Sequence, residues 1–268
     1  MPDEEHFSNV AAAFDSVAEN FEVSFENEIT WALRRKTYAI IESLIPSGGS
    51  ILDINCGIGI DAVELALRGF RVTGVDVSSK MIEQARLRAT TQRASVDFCQ
   101  NSFEDLRSLA GNTFDLVLSN FGGLNCVERL DIVARQIAIA TKKHGYFVGV
   151  VMPPFSLWEF ASYLLRGDLQ NSIRRVRGKA IATGFQSKTF TVCYHSSRNL
   201  VRAMGVCFHP VRIIGLNILS PTPQSMGFFN DYPRLTRFLQ KVDSHIEEIP
   251  GLRQIGDHFV IILRKQSS

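Results

Sequence analysis

The stretch Ile51–Asp61, ILDINCGIGID, constrains the fold more than any other. An apolar run, Ser50–Ile54, meets a Gly-x-Gly turn at Gly57 and Gly59, and a helical pattern opens at Asp61. A second strand-like run, Phe70–Val75, ends in an acid, Asp76. Strand, glycine turn, helix and strand in that order predict a βαβ unit. Glycines remove the Cβ atoms that would keep a ligand from the backbone. The helix start presents N–H groups without partners. An acid at the tip of the second strand can accept both hydroxyls of a ribose, so the layout predicts a nucleoside site.

Beyond this unit, strand-like runs at 51–55, 70–75, 96–99, 114–119 and 146–152 alternate with helical patterns near 61–69, 79–91, 103–109 and 127–142. Such alternation predicts an α/β fold: a Rossmann-like, mostly parallel sheet with helices on both faces and its strand C-termini on one ligand-binding edge. Residues 8–45 carry helical periodicity, stopped by Pro46 and Gly48-Gly49. After Pro153-Pro154 the pattern loosens. Residues 155–183 read as helical and then basic, 186–194 as a strand, 197–204 as a helix and 208–216 as a strand. A loop is expected at 217–231, a helix at 233–247 and a last strand at 255–263. The expected organisation is one domain over 1–268: a helical lid at 1–45, a binding core at 46–152, excursions and late sheet elements at 153–250, and the last strand within 251–268. Long excursions in a compact α/β domain usually serve as lids or binding walls.

Bulk properties narrow the function. With 268 residues and 45% hydrophobic content the chain can bury a large core. A net charge of +2 gives no global field toward nucleic acid or membrane. The five cysteines form no C-x-x-C pair and no Cys/His metal spacing, which reads as reduced thiols in a cytoplasmic protein without a metal site. Residues 1–10, MPDEEHFSNV, do not read as a signal peptide, and no run is long enough to span a bilayer.

The dinucleotide pattern G-x-G-x-x-G/A is met in relaxed form by Gly57, Gly59 and Ala62. Asp53, at the end of the first strand, argues against a pyrophosphate, because two negative charges would meet at close range. It suits a cationic ligand without phosphate, such as S-adenosylmethionine. Leu52–Gly59 resembles the first motif, L-D-x-G-C-G-x-G, of class I S-adenosylmethionine-dependent methyltransferases, here of the small-molecule type. Val72–Ala85 is similar to their second motif and Phe114–Phe121 to the motif on the fourth strand. The resemblance implies a seven-stranded sheet with an antiparallel last strand. It implies that Asp53 positions the methionine end, and that Cys56, Gly57 and Gly59 admit it to the backbone. Asp76 would accept the ribose hydroxyls, and Val77 and Met81 would wall the adenine. The string Gln100–Leu106 places Ser102, followed by Phe103, where an acid is common beside the adenine amino group, and Asn120 follows the fourth strand. Asn55 departs from the usual glycine, and Asn tolerates unusual backbone angles better than other non-glycine residues.

The family motifs fix no catalytic base, so candidates come from the excursions. His195, in Tyr194-His195-Ser196, stands where a strand hands over to a helix and could act as base or brace the helix. Asp257 and His258 are adjacent, so strand alternation should point them to opposite faces and His258 reads as structural. His144 and His209 read as turn residues. Aromatics including Phe14, Phe21, Phe121, Phe155, Trp158 and Phe228 suit a hydrophobic acceptor. The cluster Arg166, Arg174, Arg175, Arg177 and Lys179 reads as a solvated face or as a dock for an acidic or carrier-bound acceptor. After the fourth strand the amino-clamping Asn/Asp-Pro-Pro-aromatic string is absent, which speaks against nucleic acid. The expected function is methyl transfer to a small-molecule acceptor in biosynthesis, with oxygen ahead of carbon or nitrogen. The alternatives are an RNA or protein methyltransferase and a scaffold that binds S-adenosylmethionine without turnover.

Overall fold

The computed structural model describes residues 2–106, 109, 113–185 and 188–267. Seven strands form one sheet in the order β3-β2-β1-β4-β5-β9-β8. They are β1 Ser50–Asp53, β2 Arg71–Asp76, β3 Val96–Gln100, β4 Phe114–Ser119, β5 Thr141–Val151, β8 Phe208–Leu216 and β9 His258–Lys265. β1 to β5 pair parallel, and β9 runs antiparallel between β5 and β8. The expected architecture is therefore the observed one.

Side-chain alternation divides the core between the two faces. Leu52, Val75, Phe147, Phe259, Ile261 and Leu263 pack on one face with Val133 and Ile137 of α6 (Leu130–Ala140) and Leu200 of α9 (Ser197–Met204). Ile51, Leu116, Val148, Val260 and Ile262 pack on the other, with Tyr38 and Ile41 of α3 (Glu28–Leu44) and Leu65 of α4 (Ile60–Leu67). Ser78 caps α5 (Ser79–Gln92) by accepting the Met81 N–H. Its hydroxyl donates to Asp15 at the end of α1 (Pro2–Asp15), and the Lys80 N–H reaches the same oxygen. The N-terminal helices, α1, α2 (Phe21–Phe25) and α3, are thereby tied to the sheet's ligand edge.

The last third departs from the sequence reading in three places. Lys179–Phe185 is a strand, β6, paired antiparallel with β7 (Lys188–Cys193) in a separate ribbon. Its short apolar run, Ala180–Ala182, gives little strand signal, and pairing with β7 supplies it; residues 186–187 of the expected strand lie outside the described residues. The loop expected at 217–231 contains a 3-10 turn from Pro223 and a helix, α10 (Met226–Asp231). Proline fits a first helical turn, and Phe228 is held by Trp158 of α7 (Leu157–Leu165), with ring centroids 4.9 Å apart. His209 lies inside β8, opposite Arg264, and His144 lies inside β5, at a left-handed φ of +64° where the pairing with β4 shifts register, so neither is a turn residue. Of the helix expected at 103–109, residues 103–104 are a turn, 105–106 are irregular and 107–108 lie outside the described residues. Helix α8 (Leu169–Ser172) and α11 (Pro233–Ile246) complete the cap.

Candidate active site

The carboxyl ends of β1, β2 and β4 open into a cavity lined mostly by apolar side chains with a few convergent polar groups, the make-up of a small-molecule site. Val10, Phe14 and Phe21 of the N-terminal helices roof it. Seven residues singled out from sequence line it: Cys56, Gly57, Asp76, Val77, Met81, Phe103 and Asn120. Asp53, Gly59 and Ser102 are not on its wall.

Asp76 ends β2 with both oxygens aimed at backbone: Oδ2 accepts from the Gly57 N–H at 2.8 Å and Oδ1 from the Ser78 N–H at 2.9 Å. Each oxygen keeps a further lone pair. Burial pushes this carboxyl up to about 6, against the pull of those N–H groups. Gly57 sits at φ +53°, where a Cβ would meet no atom within 4 Å. Gly59 caps α4 at φ +76°, and its Cβ would lie 2.9 Å from Ala85 Cβ, so helix packing is what requires this glycine. Ser102 Oγ accepts the Glu104 N–H within its own turn.

Asp53 is 1% exposed, and neither of its oxygens has a hydrogen-bond partner among the described residues. Burial first, and the nearby Asp61 charge second, raise its pKa well above the carboxylate range. It lies directly behind the wall residues Ile54 and Asn55. The buried Asn120 Nδ2 also lacks a partner among the described residues, while Asn120 Oδ1 accepts the Phe121 N–H at 3.1 Å.

Asn55 corrects its expected role. Its φ is not positive, and its side chain is what matters: Nδ2 donates to the Asn120 carbonyl at 2.8 Å and Oδ1 accepts from Ser119 Oγ at 2.6 Å. A Cβ on Gly123 would sit 2.1 Å from Asn55 Cγ, so the two residues fit only as a pair.

Three wall residues escaped the sequence reading. Arg34 of α3 reaches Asp61 and, through Nε and Nη2, both oxygens of Glu26 at 3.0 and 2.6 Å. Asp61 also accepts from Tyr38 at 2.6 Å. The Arg34 guanidinium stacks 4.6 Å over the Phe121 ring. Phe121 has φ +44°, which costs a non-glycine residue about 1–2 kcal/mol. Helical periodicity could mark Arg34 and Asp61 as facing the sheet, but their pairing joins separate segments.

The two histidines differ in what holds them. His195 Nε2 donates to the Val127 carbonyl at 2.8 Å, and burial lowers its pKa, so the ring braces the chain after β4. Asp257 precedes β9 and escapes strand alternation; its Oδ2 lies 2.9 Å from His258 Nδ1, against the expectation that the two point apart. Three of the five basic residues pair with acids: Arg174 and Arg175 hold Glu159, Arg175 also holds Asp257, and Lys179 pairs with Glu128. None of these cations lines the cavity. The cap aromatics stack on each other, Phe155 on Phe160 and Trp158 on Phe228, while Phe14, Phe21 and Phe121 do face the cavity.

Residues 51–145 match the family described as "Methyltransferase domain". A ubiquinone biosynthesis O-methyltransferase of Xanthomonas axonopodis is 32% identical over 96 residues, 36% of this chain and 37% of that protein. The chain thus matches little more than a third of that relative's length. A methyltransferase structure from Methanosarcina mazei superposes with a TM-score of 0.60 at 20% identity, covering 86% of this chain and 99% of that one. The [4+2]-cyclase SpnF superposes at 0.61 and 17% identity, covering 97% and 96%. Residues 51–145 thus match a methyltransferase domain, and the chain shares the fold of solved S-adenosylmethionine-dependent methyltransferases. The residues present fit its cofactor: an unpaired buried carboxylate for a cation, a strand-end acid with lone pairs to spare, and a glycine whose missing Cβ leaves the cavity open. No helix among the described residues is long and apolar enough to cross a membrane.

Proposed function

We propose that this chain transfers the methyl group of S-adenosylmethionine to a hydroxyl of a small-molecule acceptor, in a biosynthetic reaction of the cytoplasm. The observation that carries the reading is Asp53, a buried carboxylate without a partner behind a cavity whose wall adds Asp61 and Asp76. An anionic floor of this kind favours a cationic, phosphate-free ligand. Bound there, S-adenosylmethionine supplies a methyl group already activated on a sulfonium. Asp76 accepts the ribose hydroxyls with its free lone pairs, and Val77, Met81 and Phe103 enclose the adenine. Asp53 draws the ammonium from behind the wall, Arg34 offers the wall's guanidinium to the carboxylate, and Asn120 Nδ2 supplies a donor. The protein's task is chiefly to orient donor and acceptor and to exclude water, which is where most of the acceleration of such a displacement arises.

A small acceptor is supported by the place of the basic cluster, which is off the cavity wall and has three of its five cations paired with acids. Oxygen is supported by the name of the Xanthomonas relative. One experiment separates the readings: incubate the protein with methyl-tritiated S-adenosylmethionine and a cell extract, then fractionate the label. Label in the small-molecule fraction is expected. Label in RNA or protein replaces the reading, and tight binding of S-adenosylhomocysteine with no label anywhere marks a scaffold.

A further inference from the structure

We propose that His258 takes the proton from the acceptor's hydroxyl, an inference that rests on the methyl-transfer reading above. His258 opens β9 at the sheet edge where β5 ends, next to Phe259, the partner of Val151. A carboxylate only accepts hydrogen bonds, so the 2.9 Å contact with Asp257 Oδ2 places the ring hydrogen on Nδ1. Neutral imidazole then carries its lone pair on Nε2. Among the described residues no hydrogen bond engages that nitrogen, in contrast to the Nε2 of His195.

The orienting acid is itself fixed. Asp257 Oδ1 accepts from Arg175 Nη2 at 2.7 Å, and Arg175 Nη1 donates to the Asp257 carbonyl at 2.8 Å. Glu159 of α7 accepts from Arg175 Nε at 2.9 Å and Nη2 at 2.7 Å. Burial alone would raise the Asp257 pKa, but His258 and Arg175 hold it well below the carboxylate range. A base whose orientation is set by a third, ionised group is the arrangement that activates hydroxyl nucleophiles. Phe121 links it to the cavity: its ring stands edge-on to the imidazole, centroids 5.8 Å apart, and lines the cavity wall. The charged groups around His258 are Asp257 beside it, Arg175 and Glu159 behind that acid, and Arg34 across the Phe121 ring.

In the step, the hydroxyl proton passes to Nε2 while the acceptor oxygen's electron pair forms the new C–O bond. The electrons of the broken S–C bond stay on sulfur. Asp257 holds the imidazolium, which returns its proton to water.

Nitrogen-15 NMR of the full chain, histidine-labelled and loaded with S-adenosylhomocysteine, tests the proposal without turnover. The expected spectrum of the neutral ring has the proton on Nδ1 and none on Nε2, and Asp257→Asn moves the proton toward Nε2. Carbethoxylation of His258, mapped by mass spectrometry, should be slower when millimolar catechol joins S-adenosylhomocysteine than with the latter alone. His258→Gln should lower catechol methylation about 100-fold while S-adenosylhomocysteine affinity and the melting temperature stay put. A proton fixed on Nε2, no protection by catechol, or turnover unchanged in His258→Gln overturns it. Failure of wild type to bind S-adenosylhomocysteine would instead overturn the methyl-transfer reading.

Discussion

Two buried arginines solve the same problem at different places on the sheet edge. Arg34 joins the lid acid Glu26 to the core acid Asp61, and Arg175 joins the cap acid Glu159 to the core acid Asp257. Each also lies over an aromatic ring, Phe121 or Tyr194. Each therefore clamps a peripheral helical segment to the sheet by desolvated charge. The difference lies beyond the clamp. Arg34 is on the cavity wall beside the donor site, whereas the acid held by Arg175 hands its second oxygen to His258. One clamp borders the cavity, and the other ends on a histidine.

Breaking either clamp should have the largest effect. Arg34→Met leaves Glu26 without its arginine and Asp61 with Tyr38 alone, and should cost about 3–5 kcal/mol in urea unfolding; Arg175→Met leaves Glu159 with Arg174 and Asp257 with His258, and should cost less. The clamps share no partner, so the double variant should lose nearly the sum. Arg34→Met should also weaken S-adenosylhomocysteine binding in calorimetry, and Arg175→Met should not. Equal effects on affinity would erase the distinction. Next comes Asp76→Ala, which removes two hydrogen bonds to a charged group and should weaken the same ligand by about 100-fold. Unchanged affinity would remove Asp76 from the site.

The two glycines of the turn should then separate. Gly59→Ala meets Ala85 at a positive φ and should cost about 1–3 kcal/mol of stability. Gly57→Ala meets no protein atom, so its larger effect should fall on ligand affinity. The smallest expected effect is that of pH. The Asp76 carboxyl, raised to about 6 by burial, titrates above its unfolded value. Its proton therefore stabilises the free fold at low pH, and that stability is lost as pH rises through about 6. Ribose recognition needs the ionised form, so affinity should fall about tenfold from pH 6 to pH 5. Affinity that is flat across that range would mean that Asp76 binds the ligand protonated or not at all.

The donor half was legible because its chemistry is local in sequence. Asp53, Gly57, Gly59 and Asp76 stand at fixed places in one βαβ unit, and strand order follows from alternation. The acceptor half was not. Arg175 and Asp257 are 82 residues apart, and no periodicity brings them together. The contact between Asp257 and His258 was missed because strand alternation was extended one residue too far, to an Asp257 that precedes β9. The packing that requires Gly59 was not legible either, since its neighbour Ala85 comes from α5.

The interlock of Asn55 with Gly123 has a further consequence. It splices the turn after β1 to the turn after β4 through the Ser119 hydroxyl and the Asn120 carbonyl. Donor floor and acceptor wall should therefore move as one body, and any opening for substrate entry must come from the lid or the cap. Such a joint also makes the two positions interdependent for engineering. A side chain introduced at 123 should be tolerated only together with glycine at 55.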